Sequence, residues 1–302
     1  MGLTATNLKF ILKKTKKYKF SGPVLTLGNQ DIYATEKNII QWAKESQTRI
    51  KIPKKILYST SSDVPKINKD ASNYIHAITF FEFLGISENH YYDIDKFDFD
   101  KPKIIHDLQY PIDKKFHNFF NLIIDSGTLE HIFDPKSVME NIAKMTKIGG
   151  YVVQIIAAEN LLNHGFYQFS PTFFYDFYTS NGFEIIESYL VEIRGSADRF
   201  YQYKQKRDYT GLFFKPGSRL VNCFLVRKMK NLKELVLPDQ YIYKKLAENS
   251  KSVENDFNKT SLDKNITYFR GVIPLKYHGM FFSFWQFLKR RTAKINYFDI
   301  KK

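Results

Sequence analysis

The stretch from Phe120 to Pro171 constrains the fold more than any other part of the chain. An apolar run, Phe120-Asn121-Leu122-Ile123-Ile124, stops at an acid, Asp125, and Ser126-Gly127-Thr128-Leu129-Glu130-His131 follows. Next comes a segment with helical spacing, Lys136 to Thr146, with Val138, Ile142, Ala143 and Met145 on its apolar side. After a Gly149-Gly150 break, a second β-branched run, Tyr151 to Ile156, leads into His164-Gly165-Phe166-Tyr167-Gln168-Phe169-Ser170-Pro171. Strand, helix, strand, with polar side chains at both strand ends, reads as half of an open parallel α/β sheet. Ligands of such sheets sit beyond the carboxyl ends of the strands. The polar groups fall at that edge.

The rest of the chain extends the pattern. Leu8, Ile11 and Leu12 among lysines predict a short basic helix over 4–20, broken by Ser21-Gly22-Pro23. Val24-Leu25-Thr26-Leu27 is a short buried strand ending at Gly28, and Glu36 to Ser46 is helical. Residues 47–71, Lys-rich with Pro53 and Pro65, read as an irregular insertion. Ser72 caps an expected helix from Asn73 to Leu84, stopped by Gly85. Tyr91 to Asp95 and Lys103 to Leu108 supply two more strand ends. Pro171 opens a helix over Thr172 to Ser180. Phe183 to Ile186 and Leu220 to Val226 are the last two strands, joined by a long connection over 187–219. No strand pattern is visible from Met229 onward. The expected fold is α/β: a doubly wound, mostly parallel, seven-stranded Rossmann-like sheet with a helical C-terminal extension. Residues 1–20 would be a basic arm, 21–230 the main domain, and 231–302 a basic extension packed on it.

Composition narrows the partners. The 302 residues are 43% hydrophobic, enough for a full core. The net charge is +15, from 46 Lys and Arg against 31 Asp and Glu. The lysines are scattered rather than gathered in one stripe, so the excess reads as solvated surface and nucleic acid is not expected as a partner. Two local clusters are exceptions, Lys13 to Lys19 and Lys289-Arg290-Arg291. The second follows the apolar Gly279 to Leu288, which leaves peripheral membrane contact open beside the plainer reading of a helix covering the domain's flank. The single cysteine, Cys223, excludes an intrachain disulfide and a cysteine-based metal site. That fits a reducing compartment. No run is long enough to span a bilayer and no secretory signal is visible, so a cytoplasmic location is expected.

In strand order and local motifs, residues 21–230 resemble the class I S-adenosylmethionine-dependent methyltransferase fold. Val24 to Gly28 is similar to its first strand and cofactor loop, His106-Asp107-Leu108 to its adenine-side loop, and Asp125 through His131 to its segment after strand four. Lys147-Ile148-Gly149-Gly150-Tyr151 is similar to the turn before strand five. The run 164–171 resembles a bacterial subgroup associated with cell-surface glycan and small-metabolite modification. In one place the chain departs from the pattern: Gly28 is followed by Asn29-Gln30-Asp31 rather than further glycines. A dinucleotide pyrophosphate needs those glycines, so the departure counts against a nicotinamide enzyme. S-adenosylmethionine has no phosphate.

The resemblance implies roles. Gly28, Asn29 and Gln30 would border the cofactor. Asp93, with Ile94 beside it, would accept the ribose hydroxyls, and Asp95 is the alternative acid. Asp107 would take the adenine amino group and Leu108 its ring, against the plainer reading of an Asx turn. Asp125 and Ser126 would lie beside the methyl donor, or Asp125 would cap the following segment. His131 and His164 are candidate general bases, because imidazole titrates near neutrality; packing alone is the alternative. Tyr167 and Gln168 are candidate acceptor ligands. Glu130, His131 and His164 form a weak metal signal, since no spacing rule ties them together, and no metal is assigned. The expected activity is methyl transfer to a small polar acceptor, a hydroxyl of a sugar or sugar-linked metabolite. The alternatives are a methyltransferase-like binding protein without turnover and an RNA- or membrane-associated methyltransferase.

Overall fold

The structure, a computed structural model, describes residues 2–59, 73–195, 198–203, 214, 217–248 and 297–298. Ser72, residues 60–71 of the insertion, and most of the 231–302 extension, including 279–291, lie outside the described residues.

Local chemistry sets the first elements. Strand β1 (Gly2–Leu3) precedes helix α1 (Ala5–Tyr18), whose N-cap Thr4 accepts from the Asn7 N–H. Strands β2 (Val24–Leu27) and β3 (Asp31–Ile32) lead to α2 (Glu36–Ser46), where Thr35 and Asn38 cap each other reciprocally. Such caps satisfy helix N–H groups that have no partner within the helix, each contributing about 1 kcal/mol. Helix α3 (Ala77–Phe83) starts later than the expected Asn73. Tyr74 and Ile75 instead form bridges to Thr35 and Tyr58, and His76 Nδ1 caps the helix by accepting from the Ile78 N–H at 3.1 Å. An extended, aromatic and β-branched pair thus pairs with its neighbours instead of joining the helix.

Strands β4 (Tyr91–Asp95), β5 (Ile104–Ile105) and β6 (Phe120–Ser126) are followed by α4 (Pro135–Met145), capped by Asp134. Strand β7 (Thr146–Glu159) is longer than expected because pairing begins before the glycine pair. A Cβ at Gly150 would stand 2.8 Å from the Lys147 carbonyl oxygen and 3.0 Å from that of Phe120, so only glycine fits that approach. Helix α5 (Pro171–Ser180) follows, then β8 (Phe183–Ile193), β9 (Arg199–Gln202), β10 (Arg219–Lys228), α6 (Tyr241–Glu248) and β11 (Tyr297–Phe298).

Among the described residues the main sheet has nine strands in the order β11-β9-β8-β10-β7-β6-β2-β4-β5. Strands β5, β4, β2, β6 and β7 pair in parallel, while β10 is antiparallel to both β7 and β8. Strand β9 is antiparallel to β8 and to β11, so only β9 and β10 run against the rest. The seven strands expected from the sequence are therefore too few. Residues 187–193 continue β8 rather than connecting it, 199–202 form β9, and the tail returns as β11. Glu187 broke the apolar pattern, but it is half-buried with partners: Lys14 Nζ at 2.5 Å and the hydroxyls of Tyr18 and Tyr189 at 3.0 and 2.8 Å. A carboxylate so paired is tolerated inside a strand.

Both faces of the sheet are covered, as in a doubly wound fold. Leu8, Ile11, Ile39, Ala43, Phe80 and Phe81 from α1, α2 and α3 pack on Val24, Tyr91, Leu122 and Ile124. Val138, Ile142, Phe174 and Tyr178 from α4 and α5 pack on Leu25, Leu27, Ile123 and Val152 on the other face. The alternation along β2, Val24 to one layer and Leu25 and Leu27 to the other, is the two-residue period of a strand. Among the described residues no helix is long and apolar enough to cross a membrane.

Asn141 on α4 ties the loop after β5 to this frame. Its Nδ2 donates to the carbonyls of Leu108 and Tyr110 at 2.9 and 2.8 Å, and its Oδ1 accepts from the Ile112 N–H at 3.0 Å. Asn141→Ala leaves these buried groups unmatched and is expected to cost about 2–4 kcal/mol of stability. Denaturant unfolding with an unchanged midpoint would refute that role.

Candidate functional site

The chain leaves β2 for β4 and β5, then returns to β6 on the other side of β2. The strand order reverses between β2 and β6, and a crevice beyond their carboxyl ends is where an open α/β sheet takes its ligand. Four strand ends and one long loop meet there.

After β2, Gly28 has φ 73°, a conformation that glycine adopts without strain, and its N–H donates to the Ile94 carbonyl at 2.8 Å. Asn29 is half-buried. Gln30 is buried and folds back, its Nε2 donating to the Leu27 carbonyl at 2.7 Å, while its Oε1 has no partner among the described residues. Strand β3 then pairs with β1, which draws the N-terminal segment toward the crevice. Ser126, at the end of β6, accepts from Asn7 Nδ2 at 3.2 Å. The cavity beside Gln30 measures about 10 Å³, room for no more than a water.

After β4, the register places the two candidate acids apart. Thr26 pairs with Asp93 and Leu27 with Ile94, so Asp93 lies two residues short of the strand end. It is 8% exposed, accepts from the Lys103 N–H at 2.8 Å, and burial lifts its carboxyl above the usual range. Asp95 is the terminal residue of β4, half-buried beside Gly28, and accepts only a local bond from the Phe97 N–H at 3.1 Å.

After β5, Asp107 makes an Asx turn with the Gln109 N–H at 3.0 Å and pairs with Lys96 at 2.9 Å. Burial alone would raise its carboxyl, but these donors hold it below the usual range. Leu108 is buried in the α4 layer with Ile104 and Ile112. The strand expected to reach Leu108 stops at Ile105 because this turn consumes the backbone.

After β6, Asp125 is fully buried. It accepts from the Thr128 N–H at 2.9 Å and from Gln154 Nε2 at 3.0 Å, and Gln154 Oε1 accepts from the Tyr178 hydroxyl. Asp125 thus builds the turn that carries the next residues. Burial raises its carboxyl from 3.8 to about 6. A raised folded-state value means that the stabilisation is complete below about pH 4 and is lost as pH rises through about 6. The loss amounts to roughly 3 kcal/mol at 1.36 kcal/mol per unit. Asp125→Asn should therefore show a shallower fall in melting temperature with rising pH than the parent protein; parallel curves would exclude this titration.

The turn Leu129–His131 presents Glu130 inward and His131 outward. The Glu130 side chain is 3% exposed; its Oε1 accepts weakly from the Ala157 N–H at 3.4 Å and its Oε2 has no partner among the described residues. Burial, with the neighbouring charge of Asp125, raises its carboxyl to about 7. Burial and the neighbouring His164 lower the value of His131. The rings of His131 and His164 meet at 4.9 Å, edge to face, and His164 Nε2 is 3.8 Å from Glu130 Oε1. The structure therefore brings together two histidines that the sequence only suggested would converge.

The loop carrying His164 is clamped to this turn. The N–H groups of Phe166 and Tyr167 both donate to the Glu130 carbonyl, at 2.8 and 3.3 Å. A Cβ on Gly165 would stand 2.7 Å from that same oxygen, so glycine permits the contact. Gln168 Oε1 accepts from the Leu161 N–H at 2.9 Å, and the Tyr167 hydroxyl donates to the Phe133 carbonyl at 2.8 Å. Both side chains thus hold the loop in place. The sequence reading assigned no role to Gly165 or to the exposed pair Phe133 and Phe166, whose rings meet at 5.6 Å.

No protein-family model and no curated protein matches the chain. Solved structures with a similar fold include the YcgJ protein of Bacillus subtilis, at 10% identity and TM-score 0.34 over 75% of this chain and 100% of that one. They also include a SAM-dependent methyltransferase of Thermotoga maritima, at 12% and 0.33 over 75% and 91%. A third is the antibiotic-resistance methyltransferase Kmr, at 10% and 0.30 over 77% and 96%. Likeness at this level assigns no activity to the chain.

Proposed function

We propose that the chain is an S-adenosylmethionine-dependent methyltransferase acting on a hydroxyl of a small polar acceptor, with sugar-linked metabolites the leading class. The observation that carries this reading is the topology. Taken in chain order, the seven strands β2, β4, β5, β6, β7, β8 and β10 stand in the spatial order 3-2-1-4-5-7-6, with the last one antiparallel between its neighbours. That is the arrangement of the class I methyltransferase fold that the sequence resembles.

The residues at the reversal suit the cofactor. Its ammonium and ribose hydroxyls are donors, and the crevice edge offers an acceptor, the Asp95 carboxylate. Asp95 would hold the ribose in place of Asp93, and Gly28 and Asn29 would border it. Asp93 and Asp125 would position the Lys103 and Thr128 backbones. Asp107 would steady the β5 loop through Lys96. The N-terminal residues Gly2 to Asn7 would shift to admit the ligand, since Ser126 is now bonded to Asn7.

When bound, the cofactor supplies an electrophilic methyl group on sulfur, and the protein's task is orientation and proton handling. His131 and His164 would take the acceptor's proton at an imidazole nitrogen. The aromatic faces of Phe133 and Phe166 would receive the apolar side of a sugar ring. Calorimetry with S-adenosylmethionine and S-adenosylhomocysteine tests the reading: saturable binding is expected, and no heat with either ligand at millimolar concentration would remove it.

A further inference from the structure

We propose that Glu130, His131 and His164 form a binding site for a divalent transition-metal ion, with zinc as the preferred occupant. The site goes beyond the methyltransferase reading and does not depend on it; an imidazole nitrogen that ligates the ion cannot also take the acceptor's proton, so metal ligation is an alternative to the base role of these histidines.

Three observations converge. One ligand atom from each side chain lies within 4.8 Å of the other two. Glu130 is buried, and its Oε2 has no partner among the described residues, an arrangement that costs stability unless something satisfies the oxygen. The backbone brings the three together by design of its contacts: the Glu130 carbonyl takes two N–H groups from the His164 loop, and Gly165 is the residue that lets the strands of chain approach. A merely exposed histidine pair would need none of this.

The donor set selects the ion. Two imidazole nitrogens and one carboxylate oxygen suit zinc and its first-row neighbours, whereas magnesium and calcium prefer oxygen alone. Donors bound to zinc at 2.0–2.2 Å stand roughly 3.2–3.6 Å apart. His164 Nε2 and Glu130 Oε1, at 3.8 Å, are already close to that. The remaining closure falls to His164, whose side chain is 49% exposed. Three protein ligands leave a position open for water or another oxygen, the pattern of reactive rather than purely structural zinc sites. The aromatic rim of Phe133 and Phe166 stands beside that open side.

The test uses the full chain without cofactor. Cobalt(II) chloride and zinc chloride are titrated in, followed by calorimetry and by the visible absorption of cobalt. One equivalent should bind, with a visible band that zinc abolishes and magnesium does not. Glu130→Gln and His164→Gln should each weaken binding by about tenfold or more, while His90→Gln, an exposed histidine elsewhere, should not. His164→Gln alters an exposed residue, so it reports on the site even if Glu130→Gln fails to fold. Equal cobalt uptake by the parent and the His164→Gln variant, displacement by equimolar magnesium, or no saturable site in the parent would each overturn the proposal. Cofactor binding measured separately distinguishes its failure from failure of the methyltransferase reading.

Discussion

Replacing His164 or His131 with alanine is expected to lower methyl transfer by about 10²–10⁴ while cofactor affinity stays nearly constant. The size follows from the job. A hydroxyl is a poor nucleophile until its proton has somewhere to go, and among the described residues these rings meet at 4.9 Å at the edge where an acceptor would lie. Affinity should hold because neither histidine is at the β2 or β4 end assigned to the cofactor. The measurement is transfer of a labelled methyl group into a metabolite extract, scored per folded molecule, beside calorimetry of cofactor binding. If both variants melt earlier yet turn over normally, the histidines only pack. Rescue of a weakened His164 variant by added zinc would place the loss in metal ligation rather than in direct proton transfer.

Asp95→Ala is expected to weaken S-adenosylmethionine by about 1.5–3 kcal/mol, the worth of a charge-assisted hydrogen bond, or roughly 10- to 150-fold. Asp93→Ala should behave differently. Asp93 already accepts from the Lys103 N–H and sits short of the strand end, so its loss should lower stability and leave affinity within about threefold once folding is corrected for. Both variants are read by calorimetry at a temperature where each is folded. The reverse ranking, with Asp93 governing affinity and Asp95 silent, would return the ribose to the deeper acid and require the β4 end to rearrange on binding.

Much of the scaffold was legible in the sequence. The apolar runs at Val24, Phe120 and Tyr151 were identified as strands, and the helix periods of α1, α2, α4 and α5 fell within a residue or two of their ends. A strand or a helix face is a local statement, written at spacings of two or of three and four residues. The carboxyl ends of the strands were legible for the same reason, so the polar residues at the reversal were in view early. The exceptions share one cause. Asp93 and Asp95 stand in one short run, and only pairing with β2 shows that Asp95 is the residue at the strand end. Strand β8 was cut at Ile186 because Glu187 is charged, and only its contact with Lys14 on the distant α1 explains its burial.

By itself, then, the sequence determined the layered α/β architecture, the direction of chain at the central strands and the edge where chemistry belongs. Periodic burial encodes each of these within a few residues. The tertiary structure alone decided what each polar group at that edge touches. Asp125 turned inward to Gln154 and Tyr178, and Asp107 turned to Lys96. Ser126 was covered by Asn7. Glu130, His131 and His164 were drawn into one cluster by two N–H groups on a single carbonyl and a glycine without a side chain to block them. Such contacts join segments far apart in the chain, and their energies depend on burial and on pairing that no local window contains.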